Sequence, residues 1–172
     1  MSSNEKIGIE IERKYVIKMP DVAILQAQPS YRRYEILQTY ISSLPGVTRR
    51  VRSLSFGGVT KYIETVKVRI DHMSSTEVEQ ELTESEYLER LALKLPDTTP
   101  IKKTRHTLLY EGQLFEIDIY PQWTSTAIME TELKDRDVQV KFPDFLHILA
   151  EVTGDKSYSN ASMSRSFPTE LK

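Results

Sequence analysis

Residues 7–18 read Ile-Gly-Ile-Glu-Ile-Glu-Arg-Lys-Tyr-Val-Ile-Lys. In a strand, alternate side chains point to opposite faces. Glu10, Glu12 and Lys14 then share one face, and Ile9, Ile11, Tyr15 and Ile17 share the other, interrupted by Arg13. One face is charged with both signs and the other is mostly apolar. The two glutamates lie roughly 6.5–7 Å apart along such a strand, so their long side chains can converge on one cation.

The same design recurs downstream. Arg50 and Arg52 flank Val51; Lys67 and Arg69 alternate with Val66, Val68 and Ile70; Glu77, Glu79 and Glu81 alternate with Val78 and Gln80. Lys103 and Arg105 flank Thr104, Glu116 and Asp118 alternate with Phe115, Ile117 and Ile119, and Glu130 and Glu132 lead into Leu133. Strands are expected near 7–18, 35–42, 47–56, 59–71, 76–82, 101–110, 113–120 and 126–134. Seven of these eight runs carry charge at period two. Gly57-Gly58 supplies a hairpin turn and Gly112 marks another. Helices are expected at 21–28, at 84–95 behind a Thr83/Glu86 capping box, and at 143–150. The fold class is mainly β with flanking helices (α+β): a closed antiparallel barrel, one side charged and the other apolar. The apolar side faces the lumen in an ordinary soluble barrel. The charged side faces it if helices pack on an apolar exterior. Local pattern alone leaves both open.

Composition narrows the chemistry. The chain has 172 residues, 39% hydrophobic and 28% charged, as expected of one globular domain spanning 1–172. No apolar run reaches the length of a membrane span, and the polar start MSSNEKIGIE lacks a signal-peptide core, so a cytoplasmic protein is expected. Zero cysteines exclude disulfides, thiolate metal sites and cysteine nucleophiles. A net charge of −2 gives no global basic field, so nucleic acid is not an expected partner. His72, His106 and His147 are isolated, with His106 expected to face away from the charged side. Trp123 fits a packing role, and Tyr31-Arg32-Arg33-Tyr34 fits a strand entrance or surface. There is no Gly-rich phosphate loop, and the serines near 157–166 lack a nucleophile elbow. Exposed ion pairs gain little, so so many charges on one surface point to a ligand. A polyanion held with a divalent metal fits: cations take phosphate oxygens, and carboxylates take hard ions.

With these pairs in order, the chain resembles the CYTH superfamily, the triphosphate tunnel metalloenzymes. Ile9-Glu10-Ile11-Glu12-Arg13-Lys14-Tyr15 looks like its N-terminal signature. Gln38-Thr39-Tyr40, Arg50-Val51-Arg52, Thr65-Val66-Lys67, Glu77-Val78-Glu79, Lys103-Thr104-Arg105, Glu116-Ile117-Asp118 and Glu130-Thr131-Glu132-Leu133 resemble its later motifs in sequence order. Glu151-Val152-Thr153 with Tyr158 and Asn160 resembles the C-terminal segment of bacterial members. One such pair is common in strands; the ordered series is specific.

The resemblance implies an eight-stranded barrel with a polar tunnel, helices outside, and a small-molecule triphosphate substrate bound with Mg²⁺ or Mn²⁺. By position, Glu10, Glu12, Asp118, Glu130 and Glu132 would be metal ligands. Lys14, Arg50, Arg52, Lys67, Arg69, Lys103 and Arg105 would hold phosphates, with Lys14 and Lys67 the candidate catalytic residues. Glu77 and Glu79 would hold a second metal or orient the cations. Ser75 stands where relatives often have an arginine, a contact Arg69 could supply. Family activities include hydrolysis of inorganic, thiamine or nucleoside triphosphates. Two rivals on the same barrel are a class IV adenylate cyclase and a non-catalytic polyphosphate or nucleotide binder. Relatives include homodimers, and nothing in the sequence demands one.

Overall fold

In the computed structural model, which describes residues 5–172, nine strands form one antiparallel sheet. They are β1 (Glu5–Lys18), β2 (Arg32–Ile41), β3 (Val47–Phe56), β4 (Val59–Arg69), β5 (Ser74–Leu82), β6 (Ile101–Tyr110), β7 (Gln113–Ile119), β8 (Thr126–Glu132) and β9 (Ile148–Glu151). The order is β5-β4-β3-β2-β6-β7-β8-β1, and β1 also pairs with β5 from Glu5↔Gln80 to Ile11↔Ser74. That pairing closes an eight-stranded barrel. Residues 1–4, the beginning of the polar stretch MSSNEKIGIE, lie outside the described residues. Gly57 and Gly58, at φ 57° and 80°, turn β3 into β4 as the sequence requires.

The register sets the inside and the outside. Charged members of each pair point inward, so the alternative with an apolar exterior is the one adopted. Two covers bury that exterior. Tyr15 and Ile17 of β1, Leu108 of β6, Phe115 and Ile117 of β7, and Ala127 and Met129 of β8 pack with Leu25 of helix α1 (Val22–Gln26) and with Leu146. Phe142 meets Tyr15 edge-on at 5.1 Å between ring centroids. On the other side, helix α2 (Glu84–Leu91) lays Tyr87 against Ile41, Val51 and Leu82. Its capping box is present, Thr83 and Glu86 each accepting the other's backbone N–H at 3.1 Å. The outward, buried Glu64 accepts from Arg90 of α2 at 2.7 Å and from Arg49 of β3, which fixes α2 on the barrel.

The helix expected at 143–150 is not formed; its second half is β9. The physical reason is the length of β1. Only its first half pairs with β5, so the edge at Tyr15–Ile17 would present unpaired backbone groups. β9 fills that edge through Tyr15↔Glu151, Val16↔Ala150 and Ile17↔Ile148. The apolar Leu146 still packs on the exterior, now from a turn. The chain then crosses one end of the lumen through a 3-10 turn (Lys156–Tyr158) and a short helix α3 (Asn160–Met163). Val152, Tyr158 and Met163 pack against Val16, Tyr40, Ile101, Tyr120 and Ile128, inward residues at that end, and against Trp123. Helices therefore do not all lie outside, since α3 caps the lumen.

His106 faces outward, as its position beside Arg105 requires, and is buried with Nδ1 2.7 Å from the Tyr31 hydroxyl. Burial, helped by Arg33, lowers its pKa. The fold therefore favours the neutral ring, and that contribution is complete above about pH 6.5, the unfolded value, and lost as pH falls below it. Thermal melts between pH 8 and 5 should show Tm falling less steeply in His106→Gln than in the wild type. Parallel curves would remove His106 from the pH dependence.

Candidate active site

The lumen encloses a cavity of about 530 Å³, within the usual range for small-molecule sites. Alternation brings the sequence-predicted residues together. Glu10, Glu12, Lys14, Arg50, Arg52, Lys67, Arg69, Glu77, Glu79, Lys103, Arg105, Glu130 and Glu132 all line it. Asp118 does not; it lies behind Lys103 and Arg105.

That buried anchor organises one wall. Asp118 accepts from Arg105 through both oxygens, at 2.7 and 2.9 Å, and from the Lys103 ammonium at 2.9 Å. Burial opposes its charge, but Arg105 and Lys103 hold the carboxyl far below the usual range. Lys103 is only 1% exposed, and burial lowers its pKa to about 8. Arg105 also meets Glu116 at 2.6 Å. Beside it, Lys14 pairs with Glu130 at 3.2 Å and donates to the Tyr158 carbonyl at 3.2 Å. Burial opposes the Lys14 charge, but Glu130 and Glu12 outweigh it and raise its pKa. Burial likewise opposes the charge of Glu130, yet the cations around it hold its pKa down to about 2.

The facing wall is less satisfied. Arg52 meets Glu79 at 3.4 Å, and Arg50 and Lys67 each meet Glu77 at 3.9 Å. Among the described residues, Arg50 Nε, Arg52 Nε and Thr65 Oγ1 are buried with no protein partner, as is the Gln38 amide oxygen. Leaving such groups unpaired costs about 1–3 kcal/mol each. Burial, with Arg50 and Arg105 nearby, lowers the Arg52 pKa to about 10. Three donors of one wall thus lack acceptors.

Carboxylates crowd the third region. Burial raises Glu10, which lies within hydrogen-bonding reach of Glu77 and Glu132. Burial and the charge of Glu130 push Glu12 well above its ordinary value. Among the described residues no three of these acids already form a closed metal cage. Lys67 instead sits 3.8 Å from Glu10. Arg69 lies at the rim, its guanidinium donating to the Asp71 and His72 carbonyls at 3.4 and 3.3 Å, while Ser75 is buried in the lining.

Tyr40, Thr65, Glu116 and Asn160 also line the cavity; the sequence motifs contain them but assign them no role there. Thr65 was reachable by parity, two positions before Lys67. Asn160 was not, because it enters from outside the barrel strands.

No protein-family model matches the chain, and no curated protein matches it in sequence. Solved structures do. The inorganic triphosphatase NE1496 superposes with a TM-score of 0.57 at 24% identity, over 93% of this chain and 97% of that one. The PH1819 protein from Pyrococcus horikoshii OT3 gives 0.56 at 22% identity, over 74% and 80%. A conserved hypothetical protein from Pyrococcus furiosus gives 0.52 at 22%, over the same shares. The chain therefore has the barrel fold of that triphosphatase.

Removing one partner of a buried ion pair costs about 3–5 kcal/mol. Asp118→Ala should lower the urea-unfolding free energy by that amount, because it removes the one carboxylate paired with buried Lys103 and leaves Arg105 only its Glu116 and Glu130 contacts. Glu132→Gln, at an exposed position, should stay within about 0.5 kcal/mol of wild type.

Proposed function

We propose that the lumen binds a linear triphosphate and hydrolyses a phosphoanhydride bond, with inorganic tripolyphosphate the favoured substrate. The observation that carries this reading is the set of buried donors without acceptors, Arg50 Nε, Arg52 Nε and Thr65 Oγ1, in a cavity also lined by Lys14, Lys67, Lys103 and Arg105. Such donors match phosphate oxygens, which arginine can take in pairs. Tyr40 and His72 are the aromatic side chains of the described lining, against eight of lysine or arginine, so the lining favours phosphate over base stacking. The shared fold with an inorganic triphosphatase supports the same direction.

The donor set also fits a hard divalent ion, Mg²⁺ or Mn²⁺. It is all oxygen, and burial raises Glu10 and Glu12, with Glu132 adding to the first and Glu130 to the second, a cost that a cation would relieve. Glu10, Glu12, Glu130 and Glu132 would hold it, and when bound it neutralises charge on the phosphate oxygens. Asp118, which is outside the lining, anchors Lys103 and Arg105 instead. Glu77 and Glu79 orient Arg50, Lys67 and Arg52.

The chain's own residues then do most of the work by placement. Arg50, Arg52 and Thr65 donate to the phosphate chain, and Lys103 and Arg105 neutralise it from the opposite wall. Lys14 keeps its proton, so it acts as a charge and a donor. With Lys67 it stabilises the transferring phosphoryl group while water attacks the terminal phosphorus in line. The anhydride P–O bond breaks, giving orthophosphate and pyrophosphate. Catalysis of this kind is mostly positioning and charge neutralisation.

Phosphate release from tripolyphosphate, with and without Mg²⁺ or Mn²⁺ and with ATP in parallel, is the test. Metal-dependent release, faster than from ATP, is expected. Glu10→Ala and Glu132→Ala should abolish it, and Arg52→Ala should raise KM on the order of ten- to a hundredfold. Cyclic AMP from ATP with inert tripolyphosphate would replace the hydrolase by a cyclase. A tripolyphosphate-induced rise in Tm without turnover would leave a binder.

A further inference from the structure

The lumen contains one neutral amide brought in by the C-terminal segment. Asn160 is buried, and it lines the cavity. Its Oδ1 accepts from the Tyr120 hydroxyl at 2.9 Å and faces the Lys103 ammonium at 3.4 Å. An ammonium has protons to give and no lone pair to offer. The amide oxygen must therefore point at Lys103, and the Nδ2 amino group must point away from it. Among the described residues that amino group has no protein acceptor. The residue shares its cavity with Lys14 and Lys103.

The residue is held firmly in place. Ser159 accepts the Ser162 N–H at 3.1 Å, and the Ser164 carbonyl accepts from Thr99 N–H at 2.7 Å. Tyr158 and Met163, on either side, sit in the apolar cluster that stops this end of the lumen. Tyr158 also gives its carbonyl to Lys14. The segment that closes the lumen thus touches two of its cations and fixes the orientation of one amide.

We propose that Asn160 is a substrate-contacting residue whose Nδ2 donates to an oxygen of the phosphate group held by Lys103. This rests on the triphosphate reading above. Lys103 and Tyr120 choose which end of the amide meets the ligand, so the contact is a donor and selects an anion. The C-terminal segment then completes the binding site as well as closing the barrel.

Two variants separate this role from simple support of Lys103. Asn160→Asp keeps an acceptor for both Tyr120 and Lys103 but removes the donor. Asn160→Ala removes both without adding charge. Tripolyphosphate hydrolysis with Mg²⁺ should show KM raised about tenfold in each, at 0.05 and at 0.5 M KCl, with the ligand-free Tm of Asn160→Asp at or above wild type. Tyr120→Phe, which frees one lock on the amide, should raise KM by less. If Asn160→Asp keeps the wild-type KM, the residue only supports Lys103 and the inference falls alone. If the wild-type protein neither binds nor cleaves tripolyphosphate, the triphosphate reading falls and takes this inference with it.

Discussion

Charges turned into a closed barrel lose their water, and they remain there only if each meets a compensating group. The Asp118 carboxylate between Lys103 and Arg105 is where this constraint is met most fully. It is deepest in the wall, and its neighbours carry the compensation outward, from Arg105 to Glu116 and from Lys14 to Glu130. Breaking such a cluster is expensive because the remaining charges cannot leave. The lumen is thus a network in which positions are set by paired charges and not by apolar packing.

The network is uneven, and the unevenness has chemical meaning. One wall satisfies its charges internally. The facing wall of Arg50, Arg52 and Thr65 leaves donors without acceptors, and in the Glu10 and Glu12 region burial, with Glu132 and Glu130 nearby, raises the carboxyl pKa values. A ligand that is negative along its length, accompanied by a cation, completes both deficits together. Neither deficit would be met by a neutral molecule.

The exterior makes this interior affordable. Apolar side chains displaced from the lumen must be covered elsewhere, and α1 with the Phe142–Leu146 stretch covers one side while α2 covers another. Ile7, Ile9, Val68 and Ile70 remain exposed on the outer face. At one end the lumen does become apolar, and there Val152, Tyr158 and Met163 seal it. Closing the barrel and shaping its cavity are therefore tasks of the same C-terminal segment.

The strands, their turns and the pairing of like charges at period two were legible in the sequence, because side-chain alternation is a local consequence of extended backbone. The same parity named the charged strand residues of the lining, since one face of each strand must stay together. What the chain could not reveal locally was which face lies inside. That depends on α1, α2 and the 140–146 stretch reaching the apolar side from distant positions. The apolar spacing of residues 143–150 suited a helix, yet the open edge of β1 made a strand of its second half, and only closure of the barrel creates that edge. Asn160 and the separation of Asp118 from the cavity were likewise decided by tertiary structure, because each depends on contacts between segments far apart in the chain.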